Sequence, residues 1–164
     1  MHLLSLFRPL EELESGLAEF YTLAGKTLSA TDEPAAVIFK RLALEEKTHV
    51  NMVRYQKRLA SKSPELFGEI EADLGEIDSL SRKARTLSTR VASLTVREMT
   101  LEALSFESSA AEYHLKNAMR KANPSMAPLL RALGGGDREH FEVLHTFAVE
   151  RGFVDPAGKK GETE

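Results

Sequence analysis

The apolar residues in the first part of the chain recur every three or four positions, which is the spacing of one face of an α-helix. This pattern predicts a first helix from about Pro9 to Leu28. Thr31 or Asp32 is a candidate N-cap for a second helix, which we expect to end before Pro64 because the residue before a proline avoids helical geometry. The short connection between the two helices predicts a helical hairpin.

The last part of the chain shows the same arrangement. Thr95 and Glu98 have the spacing of a capping box, which predicts the start of a third helix. Asn123 and Pro124 indicate a turn into a fourth helix, and Gly152 is a candidate C-terminal stop for it. A second helical hairpin is therefore predicted.

The segment between the two hairpins, residues 63–94, has weaker helical periodicity and many Ser, Thr and Gly residues. Ile70, Leu74 and Ile77 are spaced for a short helix within it. We interpret this segment as a long crossover. The predicted fold is all-α, a four-helix bundle with a long crossover between helices 2 and 3.

Composition limits the possible functions. A length of 164 residues with 42% hydrophobic content suits one domain, placed at residues 1–152, followed by a flexible polar tail at residues 153–164. Interspersed charges with a net value of −3 predict no nucleic-acid partner. No apolar run has membrane-spanning length and no signal-peptide pattern opens the chain, so we expect a cytoplasmic protein without a membrane partner. The absence of cysteine means that a metal would need oxygen and imidazole ligands.

The two predicted hairpins contain the same pattern of acidic residues and histidine. Their first helices share a similar segment, ESGLAEFY and ESSAAEYH, and each segment begins with a glutamate. Their second helices each carry an acidic residue three positions before a histidine, and residues three apart lie on one helix face. The candidate metal ligands are Glu14, Glu46 and His49 in the first hairpin and Glu107, Asp137 and His140 in the second.

All six candidates fall within apolar stripes, so they are predicted to point into the bundle. They also lie at similar depths. Glu14 is 17 residues before the turn near residue 31 and Glu46 is 15 after it, while Glu107 is 17 before the turn near residue 124 and Asp137 is 13 after it. At about 1.5 Å per residue these positions are roughly 20 to 27 Å from their turns. One level of the bundle can therefore collect the whole set.

Four ionised carboxylates buried together would each cost several kcal/mol without counter-charge. Two divalent cations would balance them, and His49 and His140 would add neutral imidazole ligands. Mixed carboxylate and imidazole ligation suits iron or manganese, with zinc as a further possible occupant. We take two iron ions as the first choice.

These residues resemble the rubrerythrin-like branch of the ferritin-like superfamily, and the likeness covers nearly all of residues 8–152. The resemblance implies a ferritin-like bundle around a di-iron centre, with one glutamate from each of two helices and one acid-x-x-His pair from each of the others. By resemblance, Glu14 and Glu107 are terminal ligands, Glu46 and Asp137 bridge the metals, and His49 and His140 each supply nitrogen to one metal.

The resemblance also implies an oxidoreductase that reduces hydrogen peroxide or dioxygen while Fe(II) is oxidised, a role in oxidative stress, and a homodimer. The chain has no cysteine and so no rubredoxin module, which makes an external electron-donor protein necessary. Two alternatives remain open. One is non-catalytic iron binding or storage, and the other is a structural helical bundle with a decayed metal site.

Four further features bear on the site. Tyr21 and His114 each lie seven residues after the lone glutamate of their hairpin and are candidates to hydrogen-bond the ligands from outside, with ordinary core packing as the alternative. Asp137 is one methylene shorter than the expected glutamate. Three glycines, residues 134–136, precede it at about 1 kcal/mol each relative to alanine. We expect the helix to bend or break there.

Overall fold

The computed structural model describes residues 2–63, 69, 71–119 and 124–156 of the chain. This part of the chain forms α-helices and contains no β-strand, so the predicted all-α class is confirmed. A short 3₁₀ turn, Val91–Ser93, follows the third helix. The helices are α1 (Leu4–Leu28), α2 (Glu33–Lys62), α3 (Leu74–Arg90), α4 (Val96–Ala118) and α5 (Ala127–Glu150).

Two pairs of helices build the molecule. α1 packs along α2, α4 packs along α5, and α2 meets α5 to join the pairs. The apolar faces of these helices form one core, in which Phe20, Phe39 and Phe106 are fully buried and in ring contact. A helical bundle with its polar cluster inside the core is the result.

The helix boundaries agree closely with the capping pattern in the sequence. The Asp32 carboxylate accepts from the backbone N–H of Ala35 at 3.2 Å, which selects Asp32 as the cap of α2. Thr95 and Glu98 form the complete capping box at the start of α4. Gly152 has φ of +69°, a backbone conformation that favours glycine at a helix end.

The start of α1 differs from the prediction. The helix begins at Leu4 rather than near Pro9, and Pro9 lies inside it. Leu6, Phe7 and Leu10 are completely buried in the core. Burial of these side chains favours the longer helix more than the missing proline N–H disfavours it.

The crossover was predicted with too little structure. It contains the regular helix α3, which packs against α1 and makes five helices in the described ranges rather than four. The Asp73 carboxylate caps α3 by accepting from the N–H of Glu76, and Ile77 is fully buried. Gly16 of α1 lets Ala84 approach closely, since a Cβ at Gly16 would lie 3.2 Å from the Ala84 Cβ. The predicted short helix was correct in kind but too short.

Of the bend or break predicted at residues 134–136, the break does not occur, because α5 is continuous from Ala127 to Glu150 through all three glycines. Phe153 and Val154, which begin the predicted tail, pack on the core. Residues 157–164 lie outside the described residues. The predictions that involved Pro64, Ile70 and Asn123 also lie outside them, although α2 ends at Lys62.

Within the part of the chain that the structure describes, no helix combines the length and apolarity required to cross a membrane.

Candidate metal centre

Acidic and imidazole side chains meet at the centre of the core, where apolar side chains surround them on every helix. They come from four helices, and each lies on the buried face of its helix, with buried apolar residues one or two turns away. The four carboxylates are completely inaccessible to solvent, and the two histidines are 7% and 2% exposed. The cluster consists of Glu14 on α1, Glu46 and His49 on α2, Glu107 on α4, and Asp137 and His140 on α5.

The structure brings these side chains into two overlapping ligand groups. In each group, one oxygen or nitrogen from every member lies within 4.8 Å of the others, an arrangement that could hold a metal ion. Glu46 and Asp137 belong to both groups. The first group is Glu14, Glu46, His49 and Asp137, and the second is Glu46, Glu107, Asp137 and His140.

The two imidazoles face the carboxylates through equivalent atoms. His49 Nδ1 lies 3.1 Å from Glu46 Oε2 and 3.3 Å from Glu14 Oε2. His140 Nδ1 lies 2.9 Å from Glu46 Oε1 and 3.4 Å from Glu107 Oε2. The two rings stack with centroids 5.4 Å apart, and Glu46 contacts Nδ1 of both.

Many polar atoms of the cluster are buried without a hydrogen bond of good geometry among the described residues. Such atoms lose water on folding without a replacement, which costs free energy unless a cation or proton compensates. The unpartnered atoms of the cluster all belong to residues of the two ligand groups. They are both carboxylate oxygens of Glu14, one oxygen each of Glu46, Glu107 and Asp137, and Nδ1 of His140.

The electrostatics of the cluster show how protons can balance these charges. Burial raises the pKa of Glu14 to about 7 and that of Glu107 to about 8. Burial opposes the charged form of both imidazoles, but the neighbouring carboxylates outweigh it and raise the pKa of His49 to about 11 and of His140 to about 10. Burial also opposes ionisation of Glu46, yet contacts with the two imidazoles lower its pKa to about 2.

Tyr21 and His114 each contact a ligand candidate of the opposite hairpin, and His114 also contacts Asp137 of its own hairpin. The Tyr21 hydroxyl donates to Glu107 Oε1, and burial together with that carboxylate raises the tyrosine pKa well above its ordinary value. His114 Nδ1 lies 2.7 Å from Asp137 Oδ2, and its Nε2 lies 3.3 Å from Glu14 Oε1. Each residue thus lies beside the lone glutamate of the other hairpin.

Glu45 contacts His140, although it was not among the residues predicted from the sequence. Its Oε2 lies 2.9 Å from His140 Nε2, the ring nitrogen that faces away from the carboxylate cluster. The Glu45 side chain is 38% exposed and also pairs with Arg41, so it looks like a surface residue in the sequence. Its contact with His140 depends on the packing of α2 against α5, which the sequence does not show.

Comparison of the chain with protein-family models, with curated proteins and with solved structures finds no match. The rubrerythrin-like and ferritin-like resemblance therefore stays a prediction, and the residues of this chain alone support the site.

Proposed function

We propose that this protein binds two divalent metal ions, iron by preference, in the two overlapping ligand groups. The observation that carries the proposal is that the groups share two buried carboxylates, Glu46 and Asp137, whose oxygens face both of them. Glu14 and His49 would complete one group, and Glu107 and His140 the other.

The chemistry of the side chains fits two such ions. Four carboxylates offer four negative charges, and two divalent cations offer four positive charges, so the buried cluster becomes neutral once the imidazoles are deprotonated. Oxygen ligands with one imidazole per ion suit iron or manganese, and zinc could also occupy them. The unpartnered buried oxygens would gain the partners that they lack.

The proposed activity is reduction of hydrogen peroxide, or of dioxygen, coupled to oxidation of Fe(II). Bound in the ferrous state, two ions would supply one electron each, enough to break the O–O bond of one peroxide, which takes up two protons and leaves as two waters. An external electron-donor protein would restore the ferrous state, because the chain has no cysteine for an electron-transfer centre of its own.

The protein groups around the ligands would orient them and hold protons. Tyr21 Oη donates to Glu107, and His114 Nδ1 contacts Asp137, so both carboxylates are fixed from outside the ligand groups. The surrounding apolar core excludes bulk water from the carboxylates. His114 contacts the Glu14 carboxylate and Tyr21 contacts the Glu107 carboxylate, so a proton held on either side chain lies next to a ligand.

A structural role is the second candidate. Glu46 and Asp137 already contact His49, His140 and His114, so the buried network links α2, α4 and α5 through hydrogen bonds and ion pairs. In such a bundle a bound metal would stabilise the fold, or bound iron would be held for delivery, without catalytic turnover.

Anaerobic titration of metal-free protein with Fe(II), followed by hydrogen peroxide and near-ultraviolet absorbance, tests both candidates. We expect two ferrous ions per chain and oxidation of both by one peroxide per chain. Tight binding of two ions without reaction toward peroxide or dioxygen would favour the structural role. Failure to bind ferrous, manganous or zinc ions would overturn the metal proposal.

A further inference from the structure

Gly136 lies directly before Asp137 on α5 and faces the imidazole of His49 on α2. A Cβ built on Gly136 would lie 2.6 Å from His49 Cε1 and closer still to Nε2. Real Cβ atoms essentially never approach another atom so closely, so an alanine at this position requires the ring or the backbone to move.

The His49 ring has little freedom to retreat. Its other nitrogen, Nδ1, is held by Glu46 at 3.1 Å and by Glu14 at 3.3 Å. The ring also stacks on His140. Any displacement by a side chain at position 136 would therefore alter the geometry of the ligand group that contains His49.

The neighbouring glycines do not share this environment. A Cβ on Gly135 would meet nothing within 4 Å. A Cβ on Gly134 would lie 2.8 Å from Leu115 Cγ and 3.2 Å from His114 Cβ, away from the His49 ring. The close approach to His49 thus belongs to one position of the three.

The similar patterns of the two hairpins place Gly136 at the position that Glu45 has in the first hairpin. The residue before the shared carboxylate is Glu45 in the first hairpin and Gly136 in the second. Glu45 lies against the outer nitrogen of His140 at 2.9 Å, whereas the bare backbone at Gly136 lies against the outer edge of His49. The two imidazoles are consequently fixed by different means, one by a carboxylate and the other by close packing.

We infer that Gly136 is a positioning residue that sets the place of the His49 imidazole and so makes the two ligand groups inequivalent. The metal-binding part of this inference rests on the proposed function. The positioning part does not, because the close contact is a property of the protein without metal.

The test compares Gly136→Ala with Gly135→Ala, which makes the same chemical change one residue away. The first measurement uses the ring nitrogen resonances of His49 in the metal-free variants. Gly136→Ala should shift them while Gly135→Ala leaves them as in the wild type. Unchanged His49 resonances in Gly136→Ala would overturn the inference, even if the wild type binds no metal and the proposed function fails.

The second measurement is titration with Mn²⁺, followed calorimetrically. Gly136→Ala should retain one ion at wild-type affinity and bind the other about tenfold or more weakly, the range seen when an outer support of a ligand is lost. Gly135→Ala should bind both as the wild type does. Equal weakening of both ions, or of neither, would contradict the inferred inequivalence.

A double-mutant cycle covers the outcome in which Gly136→Ala folds poorly. In a His49→Ala background the ring is absent, so the added Cβ should no longer disturb thermal unfolding, and its effect should match that of Gly135→Ala in the same background. A disturbance of the same size with and without the ring would place the clash elsewhere and sink the inference.

Discussion

Asp137 is the residue at which the sequence left most doubt, since it is shorter than Glu46, its counterpart in the first hairpin. In the structure both carboxylates belong to both ligand groups. His114 contributes to this arrangement, because its Nδ1 lies 2.7 Å from Asp137 Oδ2 and holds the short side chain in place. The missing methylene therefore does not remove Asp137 from the cluster.

The sequence predicts the cluster well at the level of single residues, because each buried acid lies within an apolar helical stripe and such a position is costly without a partner. Glu45 and Gly136 could not be found in this way. Their significance depends on how α2 meets α5, and contacts between elements distant in the chain leave no periodic signal in either one. Their partners, His140 and His49, become evident only in three dimensions.

The shared and unshared carboxylates should respond differently to neutralisation. Glu46→Gln removes a ligand from both groups and should weaken both ions, by about 100-fold or more, since even an outer partner costs roughly 10- to 100-fold. Glu14→Gln should weaken one ion and spare the other. Calorimetric titration with Mn²⁺ measures both constants, and the exposed Glu19→Gln on the same helix is the control. Retention of both ions by Glu46→Gln would contradict its shared position.

At the level of helices, the periodicity and caps predicted four elements close to their observed bounds except at the start of α1, while α3 was underestimated. Its exposed face carries Ser, Thr and charged residues, which dilutes the apolar pattern, and only a narrow stripe that includes Ile77, Ala84 and Leu87 is buried. The three glycines of α5 misled the prediction in the opposite direction. Their low helix propensity indicated a break, but packing against α2 and α4 holds the helix intact.

If α3 belongs to the folded core, a cavity at Ile77 should destabilise the whole protein. Ile77→Ala removes a fully buried side chain and should lower the free energy of unfolding by about 2 to 5 kcal/mol. Asp78→Ala, an exposed neighbour on the same helix, should change it by less than about 0.5 kcal/mol. Urea unfolding followed by circular dichroism measures both, and an effect of Ile77→Ala as small as that of Asp78→Ala would show α3 to be a detachable crossover.

For the molecule as a whole, the charge balance of the core is the property that joins fold and function. Without metal, protons on the imidazoles and on the carboxyls with raised pKa values compensate the buried acids. Metal ions and protons are therefore alternative ways to balance the charge of the buried carboxylates, and the stability of the protein depends on which of them is present. The stability of the metal-free fold should therefore depend on pH more strongly than that of the metal-loaded fold.

This balance predicts that the stability of the metal-free form depends on pH more strongly than that of the metal-loaded form. A group whose pKa is raised on folding contributes stability that is present below its unfolded value and is lost as pH rises through its folded value. For Glu107, with a folded pKa of about 8, and for Glu14, with about 7, that loss occurs between about pH 5 and pH 9. The melting temperature of metal-free protein should therefore fall from pH 6 to pH 9, whereas metal-loaded protein should remain nearly constant because its ligands hold no protons to lose. Glu107→Gln, which stays neutral, should show a shallower fall, and a metal-free melting temperature that rises over this range would reject protons as the alternative counter-charge.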